Sequence, residues 1–319
     1  MRLPRRWRRP LPLGVVIALG ACAPPSGRSM APAPVPESRF VATATRRDVD
    51  LAAVVRAGAA ADVVFFGEQH DDPATHRAEL ALLAALGNAE RPIVLSLEMF
   101  ERDVQGVVDD YLAGRIAEAD FLARSRPWER YVTDYRALVE LARARGWRVV
   151  AANVPRRLAS AVSRNGLALV DTLAPHDRAL VARDLVCPRD DAYYARFAAQ
   201  MRGHSAGQGP ATASDSATMQ RMTDRFYEAQ CVKDETMAES IAAVRSATPG
   251  ALVLHVNGAF HSDLGLGTAS RVRRRDPGAR LLVLSAVPVA DPATAELAPL
   301  VERGDYLVLT RRAPVPPTP

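Results

Sequence analysis

Short apolar runs alternate along this chain with longer stretches of helical periodicity, and one run organises the rest. Val63-Val64-Phe65-Phe66 is apolar at every position, the pattern of a strand buried on both faces. It stops at Gly67, and Glu68, Gln69 and His70 follow at once. Asp72-Pro73 is then a helix N-cap with proline in the first helical position, and residues 74–86 carry a helical pattern. Glu68 and His70 are therefore expected on a strand-to-helix turn. Further strands are predicted at residues 92–98, 148–153, 251–258, 280–286 and 305–310. Helices are predicted at 48–59, 101–112, 117–125 and 131–145, the last closed by Gly146. Residues 156–245 are mostly helical and offer no strand. Their Gly/Ser-rich run at 203–210, with a Ser/Thr/Ala tail to Thr218, reads as a mobile loop.

This alternation predicts an α/β fold, a largely parallel central sheet flanked by helices, with 156–245 as a helical insertion over the carboxyl edge of the strands. Parallel strands finish on one side of the sheet, where open α/β folds keep their ligands. Glu68, His70, Glu98, Asn153, Asn257 and His261 are thus expected along one rim. Two carboxylates and two histidines suit two chemistries: ligation of a divalent metal that activates water, or general-base catalysis by His70 oriented by Glu68 or Glu98. Helix capping and ordinary polar packing explain any one of these residues, but explain four together less well, because buried acids need partners. His76 shares a helix face with Leu80 and Leu83 and reads as packed or half-exposed. His176 falls at a helix start, His255 inside a strand, and His204 in the loop of the insertion.

The N-terminus stands apart. Residues 1–21 hold Arg2, Arg5, Arg6, Arg8 and Arg9 before a short apolar stretch, and Leu19-Gly20-Ala21-Cys22 matches a bacterial lipobox. This predicts a signal peptide over 1–21, lipidation at Cys22, and, with Ala23 following, a periplasm-facing lipoprotein of the outer membrane. Residues 22–45 read as a Pro/Ala-rich tether, 46–311 as the folded domain, and 312–319 as a Pro-rich tail. The formal net charge of +5 equals the five leader arginines, so the mature chain is neutral and nucleic acid is not an expected partner. The Arg271, Arg273, Arg274, Arg275 cluster reads as a solvated last helical turn. Cys187 and Cys231 remain, and an exported chain favours their disulfide over free thiols.

The insertion also carries Tyr193, Tyr194, Phe197, Met201, Met219, Met222, Phe226, Tyr227 and Met237. Such residues at helical spacing most often form core, yet beside a glycine-rich loop they also suit a flat apolar ligand. Tyrosine, histidine or methionine then offers an axial bond to haem iron. No Cys-x-x-Cys-His is present, so haem is not attached in the c-type manner.

Six motifs in order complete the picture. Gly67-Glu68-Gln69-His70-Asp71, Leu97-Glu98-Met99-Phe100, and Asp134-Tyr135-Arg136-Ala137-Leu138-Val139-Glu140 resemble the ChaN-like lipoproteins. So do Ala151-Ala152-Asn153-Val154-Pro155, Ala229-Gln230-Cys231-Val232-Lys233-Asp234-Glu235-Thr236-Met237-Ala238 and Gly258-Ala259-Phe260-His261-Ser262-Asp263. These lipoproteins form the haem-binding uptake branch of the Tiki superfamily. The resemblance spans about residues 46–288. It implies a haem-binding protein of iron acquisition, anchored at the outer membrane and dimeric around haem. It also implies kinship with metal-dependent proteases and erythromycin-esterase-like hydrolases, whose active-site motif falls here on Glu68, His70, Glu98 and His261. Tyr193, Tyr194, His204 and Tyr227 are the alternatives for the haem ligand. A haem-binding protein is the favoured expectation, and a metal-dependent hydrolase the rival.

Overall fold

The computed structural model describes residues 38–205 and 213–312. The leader, Cys22 and the tail from 313 lie outside the described residues, as do residues 206–212 of the expected loop. Among the described residues there are eight strands: β1 (Ser38–Ala42), β2 (Arg47–Val49), β3 (Val63–Glu68), β4 (Ile93–Glu101), β5 (Arg148–Asn153), β6 (Leu252–Gly258), β7 (Leu281–Val289) and β8 (Tyr306–Arg311). The helices are α1 (Leu51–Ala60), α2 (Pro73–Leu86), α3 (Gln105–Leu112), α4 (Glu118–Ser125), α5 (Arg136–Arg145), α6 (Arg156–Asn165), α7 (Pro175–Arg178), α8 (Ala192–Ser205), α9 (Ala213–Ala247) and α10 (Gly267–Arg275).

All eight strands form one sheet in the order β2-β1-β8-β7-β3-β6-β4-β5. From β3 to β8 every pairing is parallel, and only β1 runs antiparallel to its neighbours β2 and β8. The period of two along β3 explains why it is apolar throughout. Val64 and Phe66 enter the core made with Leu82, Leu83 and Leu86 of α2, whereas Val63 and Phe65 enter the opposite core with Met237, Ile241 and Val244 of α9 and Val272 of α10. The cap at Asp72 forms as its sequence suggests, with Oδ1 accepting from the Ala74 N–H at 3.1 Å.

Three features differ from expectation. The tether drawn over 22–45 ends earlier, because β1 pairs with the free edge of β8 in the register Phe40↔Val308. A five-residue segment beside a Pro/Ala-rich stretch has too little periodicity to announce itself; the available edge makes it a strand. The arginines of α10 are not simply solvated. Arg271 is buried, and Arg271, Arg274 and Arg275 all close on the buried carboxylate of Glu235. His204 lies in the last turn of α8 rather than in a loop; its side chain is outside the described residues.

The insertion is built on α9, which packs against α6, β5 and α10 and so roofs the carboxyl edge of the sheet. No helix among the described residues is long and apolar enough to cross a membrane. Cys187 and Cys231 are joined by a disulfide that fastens the segment before α8 to α9 across 44 residues. In the chain-entropy picture, closing a loop of that length stabilises the fold by about 4 kcal/mol. Urea unfolding with and without reductant is expected to differ by a large part of that amount, with Cys187→Ala matching the reduced protein.

Candidate functional site

Glu68 is the last residue of β3 and is 2 % exposed. Its Oε1 accepts from the Tyr135 hydroxyl at 2.5 Å and from Nδ1 of His70 at 2.6 Å. That contact assigns the His70 proton to Nδ1 and leaves Nε2 as the nitrogen with the lone pair. The His70 side chain is 49 % exposed and stands edge-on to Trp128, with ring centroids 4.7 Å apart. Beneath it lies Gly258, the end of β6. A Cβ there would come within 2.9 Å of the His70 Cε1 and Nε2 atoms, so the bare glycine lets the imidazole rest on the strand.

The same glycine joins His70 to the second carboxylate. The register between β4 and β5 jumps between Leu97 and Glu101, and this bulge turns Glu98 toward β6. Glu98 Oε2 accepts the Gly258 N–H at 2.7 Å, and its Oε1 lies 3.3 Å from Nε2 of His261. On the other side of that ring, Nδ1 meets Asp234 Oδ1 at 2.7 Å. Asp234, reaching down from α9, also accepts from the hydroxyls of Thr268 at 2.8 Å and Tyr193 at 2.6 Å. Asn153 donates to the Glu98 carbonyl at 3.1 Å, and Asn257 turns away to the Ser262 hydroxyl at 3.1 Å. Glu68, His70, Glu98 and His261 thus do meet at one rim. Asn153 and Asn257 brace it rather than line it.

Charge is distributed unevenly along this rim. Burial opposes a charge on His261, but Glu98 and Asp234 on either side outweigh it and hold the imidazole pKa at about 10. Burial likewise works against the Glu98 and Asp234 carboxylates, yet the His261 cation keeps both below their ordinary values. For His70, burial pulls downward while the Glu68 hydrogen bond and the Glu98 and Glu68 charges pull harder upward. His255 has no such partner: burial takes it down to about 4, and it bonds the Ser96 hydroxyl at 2.9 Å.

Sequence reasoning gave no role to Asp234, Tyr135, Gln230 or Trp128, although the first three stand in the quoted motifs. Asp234 and Gln230, whose Nε2 lies 3.2 Å from Nε2 of His261, showed as polar residues on the buried side of α9. Tyr135 in the widened turn and Trp128 in the loop before it gave no such signal. His76 is buried, as a packed histidine would be, but among acids: its Nδ1 is 3.0 Å from Glu79 Oε2 and 3.5 Å from Glu68 Oε2. Glu68, His76 and Glu79 present ligand atoms within 4.8 Å of one another. The metal set expected from sequence was Glu68, His70, Glu98 and His261. In the structure His261 has a carboxylate against each nitrogen, Asp234 at Nδ1 and Glu98 at Nε2.

Comparison with known proteins now bears on this geometry. The family model described as "Haem-binding uptake, Tiki superfamily, ChaN" matches residues 54–272. The chain belongs to that family. Among solved structures, one titled "Cofacial heme binding to ChaN of Campylobacter jejuni" is similar at a TM-score of 0.64 and 15% identity, over 86% of this chain and 97% of that one. A mutant of erythromycin esterase EreC in its open conformation aligns at a TM-score of 0.43 and 13% identity, over 86% of this chain and 83% of that one. No curated protein sequence matches.

The tyrosines expected as haem ligands in this ChaN-family chain have their hydroxyls engaged. Tyr193 and Tyr227 are buried, the first bonded to Asp234 and the second to the Pro188 carbonyl at 2.6 Å. Tyr194 bonds Asp224 at 2.5 Å. Burial seals Tyr193 and Tyr227 from the surface of the insertion, whereas Tyr194 is half-buried. What that surface does expose is Met222 at 46% and Phe226 at 41%, one helical turn apart on α9. They line a shallow groove of about 260 Å³ with Ser163, Arg164, Thr218, Arg221 and Arg225.

The ionic chain at the rim gives a pH signature. The raised pKa of His261 contributes stability in full below its unfolded value of about 6.5, and that contribution is lost as pH rises toward 10. Glu98 and Asp234, held low, contribute above about pH 4 and lose it in acid. Urea unfolding of the wild type is expected to weaken steadily from pH 6.5 to 10, and His261→Asn should flatten that slope.

Proposed function

We propose that this protein binds haem on the outer face of the insertion, and that it does so as a lipidated, periplasm-facing protein of haem and iron uptake. The observation that carries this is the exposed Met222–Phe226 face ringed by Arg164, Arg221 and Arg225. Haem is a flat apolar ring with two carboxylates at one edge. Met222 and Phe226 supply the apolar contact, and the guanidinium groups match the propionates. Haem iron accepts axial bonds from methionine, and the Met222 thioether is the ligand this face offers. The groove is too shallow to enclose the macrocycle, so its other side is left for a second copy of the chain, in keeping with a haem-bridged homodimer. Membership of the haem-binding uptake family supports the reading. The lipobox ending at Cys22 and the Cys187–Cys231 disulfide support an exported, membrane-anchored address.

Titration of the purified mature protein with haem is expected to give a saturable, red-shifted Soret band at micromolar haem. Met222→Ala or Arg221→Glu should weaken binding about tenfold, or about 1.4 kcal/mol. Tyr227→Phe should leave the spectrum unchanged. Absence of saturation at micromolar haem overturns the proposal.

One observation favours a second activity at the rim. His70 is half-exposed, oriented through Nδ1 by buried Glu68, and keeps its Nε2 lone pair over Gly258 at the rim, the arrangement of a general base for hydrolysis. Turnover of a p-nitrophenyl ester that disappears in His70→Ala, while haem binding persists, supports this; no turnover by the wild type argues against it.

A further inference from the structure

Behind the Glu68–His70 pair, on the side away from solvent, sits a second cluster that shares only Glu68 with the rim. Glu68, His76, Glu79 and Asp134 are all buried. Their convergence has a local cause. His76 and Glu79 lie three apart on α2 and so share one face of it. The widened helical turn Tyr131–Tyr135 then presents Tyr135 to Glu68 and Asp134 to His76.

Accounting for donors in this cluster leaves a deficit. Asp72, beside it, is satisfied by the Thr75 hydroxyl at 2.6 Å, the Thr310 hydroxyl at 2.5 Å and the Ala74 N–H. Asp134 is satisfied by Arg130 Nε at 2.5 Å. Glu68 Oε1 has Tyr135 and His70. The remaining oxygens do less well: Glu68 Oε2 and Glu79 Oε1 are buried with no hydrogen-bond partner. The His76 ring faces acceptors on both sides, with Nε2 3.2 Å from the His70 carbonyl and Nδ1 toward Glu79 and Glu68. With the proton on Nε2, where the carbonyl accepts it, Nδ1 presents a lone pair to two carboxylates. Three electron-rich atoms then face one another with nothing positive between them, an arrangement that burial makes costly.

We propose that Glu68, His76 and Glu79 hold a divalent first-row transition-metal cation, with His76 Nδ1 and one oxygen of each carboxylate as its protein ligands. Imidazole with two carboxylates suits Zn²⁺, Mn²⁺ or Fe²⁺. The spacing suits them as well. Ligands about 2.1 Å from such an ion are separated by about 3.0–3.4 Å in octahedral or tetrahedral geometry, and Nδ1 lies 3.0 Å from Glu79 Oε2 and 3.5 Å from Glu68 Oε2. The His76 Nε2–H bond to the His70 carbonyl is the outer contact that fixes a metal-binding imidazole in its tautomer. The ion ties the end of β3 to α2 and holds Glu68, whose other oxygen orients His70. This site is independent of haem at the α9 groove.

The test uses the full mature chain, stripped with EDTA, loaded with Zn²⁺ or Mn²⁺, desalted and assayed for metal. The expected result is about one equivalent per chain, with a raised thermal midpoint. Glu79→Gln and His76→Asn should each lower retained metal at least tenfold while the circular dichroism and the haem Soret response stay as in wild type. Co²⁺ added to the stripped wild type should give visible ligand-field bands that need no variant to fold. Metal below a tenth of an equivalent in the wild type, with no Co²⁺ bands, overturns the proposal. So does metal retained in both variants but lost in His261→Asn. A lost Soret response with intact metal binding instead counts against the haem reading alone.

Discussion

The structure depends on one buried cation. His261 stands between Glu98 of β4 and Asp234 of α9, and so links the sheet to the insertion through charge. Two buried carboxylates with no counter-charge would push the elements apart; one imidazolium with a carboxylate at each nitrogen holds them. The remaining oxygens are satisfied by the Gly258 N–H and by the hydroxyls of Thr268 and Tyr193. Because α9 carries both Asp234 and, three turns earlier, Met222, the ionic link at the rim also sets where the outer groove faces.

Irregular backbone does much of the positioning. The bulge in β4 aims Glu98, the widened turn at Tyr131–Tyr135 delivers Asp134 and Tyr135, and Gly258 makes room for His70. Each departure from regular geometry falls where a polar group has to reach a partner. The regular parts, β3 above all, are apolar and serve as the frame.

Two surfaces of different character result. At the rim, carboxylates and imidazoles are paired and largely buried, with only the His70 ring reaching solvent. On the outer insertion, apolar side chains and arginines lie open beside one another. The first arrangement suits a proton or a metal ion; the second suits a flat amphiphile with acidic groups. One family fold carries both, and the disulfide between Cys187 and Cys231 keeps the insertion that separates them in one shape.

Much of this was legible in order along the chain. The apolar run of β3, the Asp72-Pro73 cap and the alternation of strands and helices determine a parallel sheet, and a parallel sheet obliges Glu68, Glu98 and His261 to share an edge. Periodicity reports which face of an element is buried, so it predicts frames well. It does not report what a buried polar atom meets. That His261 stands between two carboxylates, that His76 looks into acids and not into leucines, and that Tyr193 and Tyr227 are sealed while Met222 and Phe226 are open were decided by tertiary packing. Those outcomes rest on contacts between residues far apart in the chain, and no local pattern encodes them.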